Sequence, residues 1–254
     1  MRIIISPAKK MNEEQDLLAY RHTPAFLKEA STLLEVLKQC SYEQCKQIWN
    51  CSDAIATLNY KRVQQMDLEK RLTPAILSYE GIQYQHMAPS VLPEDALDYL
   101  EEHLRILSGF YGILRPFDGI VPYRLEMQAR LGDTKGDSLY EFWGEKLAKC
   151  LQEETDCILN LASKEYSKSI SKHLKKETRF ITCVFGEWKD GKVKEKGTQV
   201  KMARGEMVRF LAEERINEVE RIKEFSRQGF AYEESLSDEA TFVFIKQGTN
   251  EGVK

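Results

Sequence analysis

The segment Arg2-Ile3-Ile4-Ile5-Ser6 places three consecutive isoleucines almost at the start of the 254-residue chain. Isoleucine is enriched in strands because its branched side chain packs well on a pleated surface. A short, uninterrupted apolar run of this kind is typical of a buried strand, whereas strict alternation indicates a half-exposed one. The segment therefore predicts a buried strand as the first element of the core.

The remaining strands and helices are predicted from hydrophobic periodicity and from the residues at their boundaries. Five more strands are predicted, at Ala75–Tyr79, Cys157–Leu161, Arg179–Phe185, Gly229–Tyr232 and Thr241–Lys246. Six helices are predicted, at Pro24–Leu37, Tyr42–Trp49, Asp53–Val63, Pro93–Leu107, Ser138–Leu151 and Lys201–Asn217. The dipeptide Asp190-Gly191 is a strong hairpin-turn signal, so a hairpin is expected to follow the Arg179–Phe185 strand.

The order of these elements indicates the fold class. Strands and helices mix without the regular strand–helix–strand alternation of Rossmann and TIM-barrel folds, which favours an α+β fold. The chain has no internal repeat, no low-complexity tract and no Pro/Gly/Ser-rich linker. Residues 1–254 are therefore expected to form a single mixed domain.

Composition and the absence of long apolar runs bear on the cellular location of the protein. Its hydrophobic content of 42% and charged content of 30% are those of an ordinary globular protein. The longest apolar runs are far shorter than the roughly 20 residues that a membrane helix needs. Met1 leads directly into the predicted strand that begins at Arg2, and the chain begins without the apolar region of a secretory signal. We therefore expect a cytoplasmic protein with no membrane partner, and the oligomeric state stays open, a monomer included.

Cysteines and histidines are the residues from which a metal or redox site would be built. They are Cys40, Cys45, Cys51, Cys150, Cys157, Cys183, His22, His86, His103 and His173. No two cysteines have the C-x-x-C spacing, and no two histidines the H-x-x-x-H spacing, that such sites use. Reduced and mostly buried thiols explain the cysteines more simply. We therefore expect no metal and no cofactor, with an iron-linked or redox protein as the weakest alternative.

Charge is distributed unevenly along a chain whose net charge is −3. Residues 160–210 contain 13 lysines and arginines against 6 acidic residues, an excess of seven positive charges. Residues 211–239 contain 4 basic against 9 acidic residues, an excess of five negative charges. A solvated surface is the ordinary explanation of such a run, and a local site for nucleic acid is the alternative.

The densest polar segment of the sequence is 104–127. Three arginines surround two glycines in it, and two carboxylates lie close to the arginines; these residues are Arg105, Arg115, Arg124, Gly109, Gly112, Asp118 and Glu126. Glycines at the end of a helix expose backbone N–H groups, and arginine forks bind the same anions, so the pattern suits phosphate. A helix C-cap followed by a turn, held by Arg–carboxylate pairs, explains the same residues without a ligand.

This segment also resembles a known family. The pattern Leu-Ser-Gly-x-Tyr-Gly-x-Leu-Arg-Pro-x-Asp, starting at Leu107 and followed by Pro-Tyr-Arg-Leu-Glu-Met127, is similar to the central signature of the YaaA family of peroxide stress resistance proteins. Four further stretches agree in order, namely Ile5–Lys9, Leu139–Gly144, Asn160–Lys168 and Ala203–Phe210. Because the similarity covers nearly the whole chain, the protein is identified as a member of that family.

The resemblance implies a mixed α/β fold particular to the family, with a positively charged cleft. It also implies a helix-hairpin-helix element and binding of double-stranded DNA. On this chain, the element corresponds to the helix that ends near Leu107 and the Ser108–Gly112 hairpin. A helix-hairpin-helix offers backbone N–H groups to phosphates, which gives affinity without sequence information.

Further basic residues extend the predicted DNA contact along the backbone. They are Lys9, Lys164, Lys168, Lys201, Arg204 and Arg209, in addition to Arg105, Gly109, Gly112, Arg115 and Arg124. Each neutralised phosphate makes binding more dependent on salt. No recognition-helix pattern is present, so binding is expected to follow the structure of the DNA rather than its sequence.

An enzyme that modifies nucleic acid is the main alternative to a binding protein. No catalytic motif is present, and the candidate catalytic residues are Asp118, Glu126, Glu165 and Tyr166. Glu165 and Tyr166 follow a predicted strand together with Ser163, where catalytic groups are often presented, although Ser163 can equally cap a short helix. A DNA base-excision glycosylase is the named alternative, by analogy with other proteins that contain helix-hairpin-helix elements.

Overall fold

The computed structural model describes residues 1–13, 17–132 and 138–247. The strands are β1 Arg2–Ile5, β2 Lys10–Met11, β3 Thr73–Pro74, β4 Tyr79–Glu80, β5 Leu104–Ser108, β6 Gly112–Leu114, β7 Gly119–Ile120, β8 Cys157–Leu161, β9 Arg179–Lys189, β10 Lys192–Lys194, β11 Phe230–Tyr232 and β12 Thr241–Lys246. The helices are α1 Leu27–Gln39, α2 Tyr42–Trp49, α3 Asp53–Gln65, α4 Ala75–Ser78, α5 Ile82–Met87, α6 Glu94–His103, α7 Leu139–Trp143, α8 Lys146–Glu154, α9 Lys164–Ser171 and α10 Gly197–Glu213. Short 3₁₀ turns occupy Pro89–Val91, Val219–Glu224 and Glu234–Leu236.

One large mixed sheet organises the fold. Its strand order is β11-β12-β9-β8-β1-β5-β6, and β10 pairs with β9 beside this path. The five strands from β12 to β5 are parallel, whereas β11, β6 and β10 pair antiparallel to their neighbours. Ile3, Ile4 and Ile5 are fully buried. The prediction of a buried first strand is therefore confirmed.

The parallel strands reverse their order at β1. Across the sheet they lie in the order β5, β1, β8, β9, β12. Along the chain they come in the order β1, β5, β8, β9, β12, so the first two are exchanged. The strands that follow β1 in the chain thus lie on both sides of it, with β5 on one side and β8 on the other. In open sheets of this kind, a crevice forms beyond the carboxyl ends of the two strands at the reversal.

The predicted mixture of strands and helices is confirmed, but the parallel centre of the sheet differs from the α+β expectation. Strands β8 and β12 and helix α2 have the predicted bounds. The hairpin turn is also confirmed, with φ of 54° at Asp190 and 71° at Gly191. The strand predicted at Ala75–Tyr79 is wrong, since Ala75–Ser78 are helical.

The helix predicted to reach Leu107 ends at His103, and Leu104–Ser108 form β5. Both conformations bury these apolar side chains, so periodicity could not separate them. Strand β5 pairs antiparallel with β6, with Ser108 opposite Gly112. The helix-hairpin-helix predicted at this segment is therefore wrong, because the segment is a β-hairpin.

Helix α10 packs closely on α5, and a glycine permits the contact. A Cβ atom at Gly205 would lie 2.2 Å from the carbonyl oxygen of Gln83 and 2.8 Å from the Cβ of His86. The two backbones could not approach this closely with any other residue at 205. Glycine therefore sits in the middle of α10 despite its poor helix propensity. None of the helices in the described ranges has the length and apolar character needed to cross a bilayer.

We predict that Gly205→Ala destabilises the protein by about 1–3 kcal/mol, because the added methyl group forces α5 and α10 apart. Gly197→Ala, at the start of the same helix, is the control, since a Cβ there meets no atom within 4 Å. The control should leave the protein as stable as the wild type or slightly more stable. Denaturant unfolding measures both, and equal stability of the two variants would contradict the packing argument.

Candidate functional site

A cavity of about 530 Å³ lies beyond the carboxyl ends of β1 and β8, where the strand order reverses. We call it the switch-point cavity. The loops after these strands are tied together, because Ser163 N donates to Ser6 Oγ at 2.8 Å and the two hydroxyl oxygens are 3.2 Å apart. The residues that line the cavity are Ser6, Pro7, Ala8, Lys9, Lys10, Glu80, Gly81, Ile82, Gln83, Tyr84, Tyr123, Arg124, Leu125, Glu126, Ser163, Glu165, Tyr166, Lys201 and Arg204.

A second cavity, of about 670 Å³, shares Lys9 and Glu126 with the first. We call it the α2 cavity, because Gln44–Asn50, from α2 and its C-cap, provide much of its wall, opposite residues 128–132. The shared residues make the two cavities neighbours. Together they join the reversal point of the sheet to the end of α2.

Glu126 occupies the boundary between the two cavities and carries two ion pairs. Its Oε1 atom lies 2.9 Å from Nη2 of Arg124 and 3.2 Å from Nζ of Lys9. Arg124 is almost completely buried, with 9% of its side chain exposed, whereas Lys9 is 66% exposed. The carboxylate therefore offsets the burial of the Arg124 guanidinium.

Five buried side-chain polar atoms in the described ranges lack a hydrogen-bond partner. They are Trp49 Nε1, Gln83 Nε2, Arg124 Nε, Glu126 Oε1 and Arg204 Nε. All five belong to residues that line one of the two cavities. Leaving such a group unpaired costs about 1–3 kcal/mol, so folded proteins rarely do it. Their concentration around these two cavities singles out the cavities as candidate binding sites.

Two acidic groups of the switch-point cavity, the Glu165 carboxyl and the Tyr166 hydroxyl, have a raised pKa and are shifted toward their neutral forms. Burial raises the pKa of the Glu165 carboxyl, and the nearby charge of Glu126 acts in the same direction. The backbone N–H of Gln128, 3.3 Å from Oε1 of Glu165, opposes this shift. Burial also raises the pKa of Tyr166 well above its ordinary value. A carboxyl with a raised pKa in a cavity is a group suited to holding or moving a proton.

Helix α9 begins at the mouth of the switch-point cavity. Its N-cap residue is Ser163, but no side chain caps the first turn, because the Ser163 hydroxyl contacts Ser6 instead. The N-terminus of a helix carries a partial positive charge and free N–H groups. The start of α9 therefore adds positive potential beside Lys201 and Arg204, which α10 contributes to the same cavity.

Several residues of the predicted site line one cavity, and others lie outside it. Of the predicted DNA-binding residues, Lys9, Arg124, Lys201 and Arg204 line the switch-point cavity, and so do the candidate catalytic residues Glu126, Glu165 and Tyr166. Lys164 and Lys168 lie on the exposed face of the adjacent helix α9. Arg209 instead pairs with Glu213 within α10, at 2.8 Å, and does not line the cavity.

Arg105, Arg115 and Asp118 lie elsewhere. They line a separate cavity of about 400 Å³ together with Arg2 and Glu154. Nη2 of Arg105 is 2.6 Å from Oε2 of Glu154, and the fully buried Asp118 accepts from Arg115 Nε at 3.1 Å. Arg105 and Arg115 thus form ion pairs with Glu154 and Asp118, and these pairs join loops, strands and helices. Asp118 and Glu126, both candidate catalytic residues, therefore line different cavities.

Gly109 and Gly112 shape the core rather than an anion site. The backbone N–H groups of Phe110 and Tyr111 donate to Ser108 Oγ, at 3.1 Å and 2.8 Å, so both are already satisfied. A Cβ atom on Gly109 would lie 2.4 Å from the carbonyl oxygen of Leu125. The glycine thus permits the segment that carries Arg124 and Glu126 to approach the hairpin.

Sequence reasoning missed Gln83 and Tyr84, which α5 contributes to the switch-point cavity. No motif surrounds them. The one available signal was Gly205, because a glycine inside a long helical pattern indicates the close approach of another backbone. That backbone belongs to α5, whose Tyr84 hydroxyl donates to the carbonyl oxygen of Ser6 at 3.0 Å.

The six cysteines are free thiols. Burial raises the pKa of Cys45 to about 12, which keeps it protonated and poorly reactive. Within the described ranges, no three His, Cys, Asp or Glu side chains are grouped as a metal site would require.

Comparisons with known proteins agree over almost the whole chain. A sequence model described as "Peroxide stress protein YaaA" matches residues 1–236. A UPF0246 protein of Lachnoclostridium phytofermentans is 56% identical over 250 residues, which cover 98% of each chain. A UPF0246 protein of Desulfitobacterium hafniense is also 56% identical, over 97% of this chain and 98% of its own. One from Pediococcus pentosaceus is 50% identical over 97% and 98%, respectively.

The raised pKa of Glu165 predicts how a substitution changes stability with pH. A raised folded-state pKa contributes stability below the ordinary value of 4.5, and that stability is lost as pH rises through the shifted value. Glu165→Gln removes this titration and can still accept from Gln128 N. The variant should therefore gain stability relative to wild type as the pH rises above 4.5.

Denaturant unfolding at several pH values measures this difference. Glu177→Gln, which removes an exposed carboxyl outside the cavity, is the control and should show no such trend. A difference between Glu165→Gln and wild type that does not grow with pH would contradict the burial of this carboxyl.

Proposed function

The chain belongs to the YaaA family of peroxide stress proteins, and we propose that it contributes to peroxide resistance by binding double-stranded DNA. The proposal takes the exposed lysines beside the switch-point cavity as the contact to the phosphate backbone. The single observation that carries it is the regular spacing of exposed lysines along α9.

Lys164, Lys168 and Lys172 follow one another at intervals of four residues, so they lie on one face of the helix and its C-cap. Four residues of helix rise about 6 Å, a spacing at which consecutive lysines can follow the phosphates of a strand. All three are exposed, and no carboxylate in the described part of the chain pairs with Lys164 or Lys172. We call these three residues the α9 stripe.

The α9 stripe continues toward the cavity on one side and away from it on the other. Lys201 and Lys9 are exposed at the cavity mouth, and Arg130 lies with Lys168 and Lys172 around a shallow depression. Lys168 also stands 4.9 Å from the centre of the Tyr140 ring, which restrains its position. This arrangement supports a contact along one backbone strand.

The size of the switch-point cavity limits the mode of binding. A volume of about 530 Å³ is that of a small-molecule site, so a duplex must lie across its mouth. Phosphate contacts give affinity and position but carry no sequence information. We therefore propose binding that depends on the structure of the DNA, such as a bend or a distorted step, rather than on its sequence.

The binding proposal predicts a strong dependence on salt. Affinity for a duplex should fall steeply between low and physiological ionic strength, because each neutralised phosphate releases counterions. The double substitution Lys168→Ala with Lys172→Ala should lower the slope of log Kobs against log salt by about 1.8 in magnitude, since each contact contributes about 0.9. Fluorescence anisotropy with a labelled duplex measures both quantities.

A matched control removes the same charge from other helices. Lys28 and Lys61 are exposed on α1 and α3, and Lys28→Ala with Lys61→Ala should change the slope little. Duplex binding that does not depend on salt, or an equal effect of both double variants, would reject the α9 stripe as the DNA contact.

Base excision is the second candidate function, favoured by the raised pKa of Glu165 beside Glu126 in a cavity of nucleotide size. A carboxyl of this kind is suited to general acid or base chemistry on an extruded base. Incubation with duplexes that contain oxidised or deaminated bases, followed by alkaline cleavage, reveals abasic sites. Cleavage by wild type that disappears in Glu165→Gln would establish excision, and intact duplexes throughout the panel would exclude it for those bases.

A further inference from the structure

We propose that the switch-point cavity binds one nucleoside monophosphate group, either as a free nucleotide or as a nucleotide turned out of a DNA strand. The second source rests on the proposed function, whereas the first does not. The proposal is drawn from the unpaired polar atoms of the cavity and from its size.

Three unpaired donors determine the charge of the ligand. Nε of Arg124, Nε of Arg204 and Nε2 of Gln83 are buried without a hydrogen-bond partner. Gln83 is 7% exposed and Arg124 has 9% of its side chain exposed, so solvent is a poor substitute for a ligand at either. Two guanidinium edges and an amide in one cavity suit a ligand group that presents several acceptor oxygens.

The start of α9 indicates that this group is a phosphate. Ser163, Glu165 and Tyr166 bring the uncapped first turn of α9 to the same cavity as the arginines. Backbone N–H groups at a helix N-terminus and arginine forks are the two devices that proteins use most often for phosphate. Lys201, exposed at the mouth and unpaired in the described part of the chain, adds a further cation.

The acidic and aromatic residues of the cavity indicate what is attached to the phosphate. Oε1 of Glu126 lies between the cations of Arg124 and Lys9, and burial raises the pKa of the Glu165 carboxyl. These carboxyl groups can accept from the exocyclic amino or ring N–H groups of a nucleobase, which a simple phosphate lacks. Tyr84 and Tyr166 line the same space and form part of its apolar wall.

Substitution of Gln83 tests the site with little risk to folding. Nε2 of Gln83 has no partner in the protein, so Gln83→Met removes an unsatisfied donor and keeps the volume of the side chain. Its melting temperature should equal or exceed that of wild type. Its affinity for AMP, GMP, CMP or TMP should fall about 10- to 100-fold, the value expected for one hydrogen bond to a charged group.

Gln85→Met is the matched control, since Gln85 is exposed on the same helix α5. Isothermal titration calorimetry on the full chain should give unchanged affinity for this variant. The corresponding nucleosides, which lack the phosphate, should bind much more weakly than the monophosphates. Equal binding of nucleosides and monophosphates would overturn the assignment of the phosphate to the arginines and α9.

A duplex that contains one 2-aminopurine distinguishes the two sources. Fluorescence of this base rises when it leaves the stack, so an increase with wild type that is reduced in Gln83→Met supports a nucleotide turned out of DNA. Binding of free monophosphates without a fluorescence increase supports a free nucleotide.

The two proposals fail in different ways. If the duplex binds but neither free monophosphates nor 2-aminopurine respond, the nucleotide site is overturned and DNA binding stands. If monophosphates bind and the duplex does not, DNA binding is overturned and the nucleotide site stands.

Discussion

The position of β1 between β8 and β5 is the constraint on which the rest of the structure depends. Ile3, Ile4 and Ile5 are buried completely, and each pairs with strands on both sides, so the carboxyl end of β1 is fixed in the middle of the sheet. A strand cannot slip by one residue here without exchanging its buried faces. Ser6 is thereby held beside Ser163, and the loops directly after β1 and β8 meet at one crevice.

A second constraint brings distant residues to that crevice. Because residue 205 is glycine, α10 can touch the backbone of α5. This contact brings Gln83, on α5, to the same cavity as Arg204, on α10. On the opposite wall, Gly109 admits the segment that carries Arg124 and Glu126. Two glycines that have no chemical function thus determine which polar groups face one another. The unpaired donors of Gln83, Arg124 and Arg204 all belong to residues that these two close contacts bring to the switch-point cavity.

Local elements could be predicted from the sequence because their signals are local. The bounds of α2, β8 and β12 and the Asp190-Gly191 turn follow from caps, apolar runs and turn residues. The parallel order of the sheet could not, because the first two parallel strands, β1 and β5, are about 100 residues apart and small elements intervene. The same limit explains Arg105, whose partner Glu154 is 49 residues away, so its role in an ion pair was invisible beside the nearer Asp118 and Glu126. Lys9, Arg124, Glu126 and Glu165 could be grouped because each follows a strand or lies in the densest polar segment, whereas Gln83 carries no comparable signal.

The chemistry of Arg124 explains how an anion and a carboxylate can occupy one cavity. Its guanidinium reaches Glu126 through Nη2, at 2.9 Å, whereas Nε, the neighbouring donor on the same edge, is left unpaired. A planar fork can serve two acceptors at once, which the single ammonium of a lysine in the same place would do only by moving between them. Glu126 therefore does not have to be displaced when an anion arrives. It keeps the guanidinium oriented and offsets the cost of its burial, while Nε of Arg124, Nε of Arg204 and Nε2 of Gln83 have no partner within the described part of the protein. The carboxylate of Glu126 thus stabilises the Arg124 guanidinium in its buried position. Without the carboxylate, the charge that offsets the cost of removing the guanidinium from water would be lost.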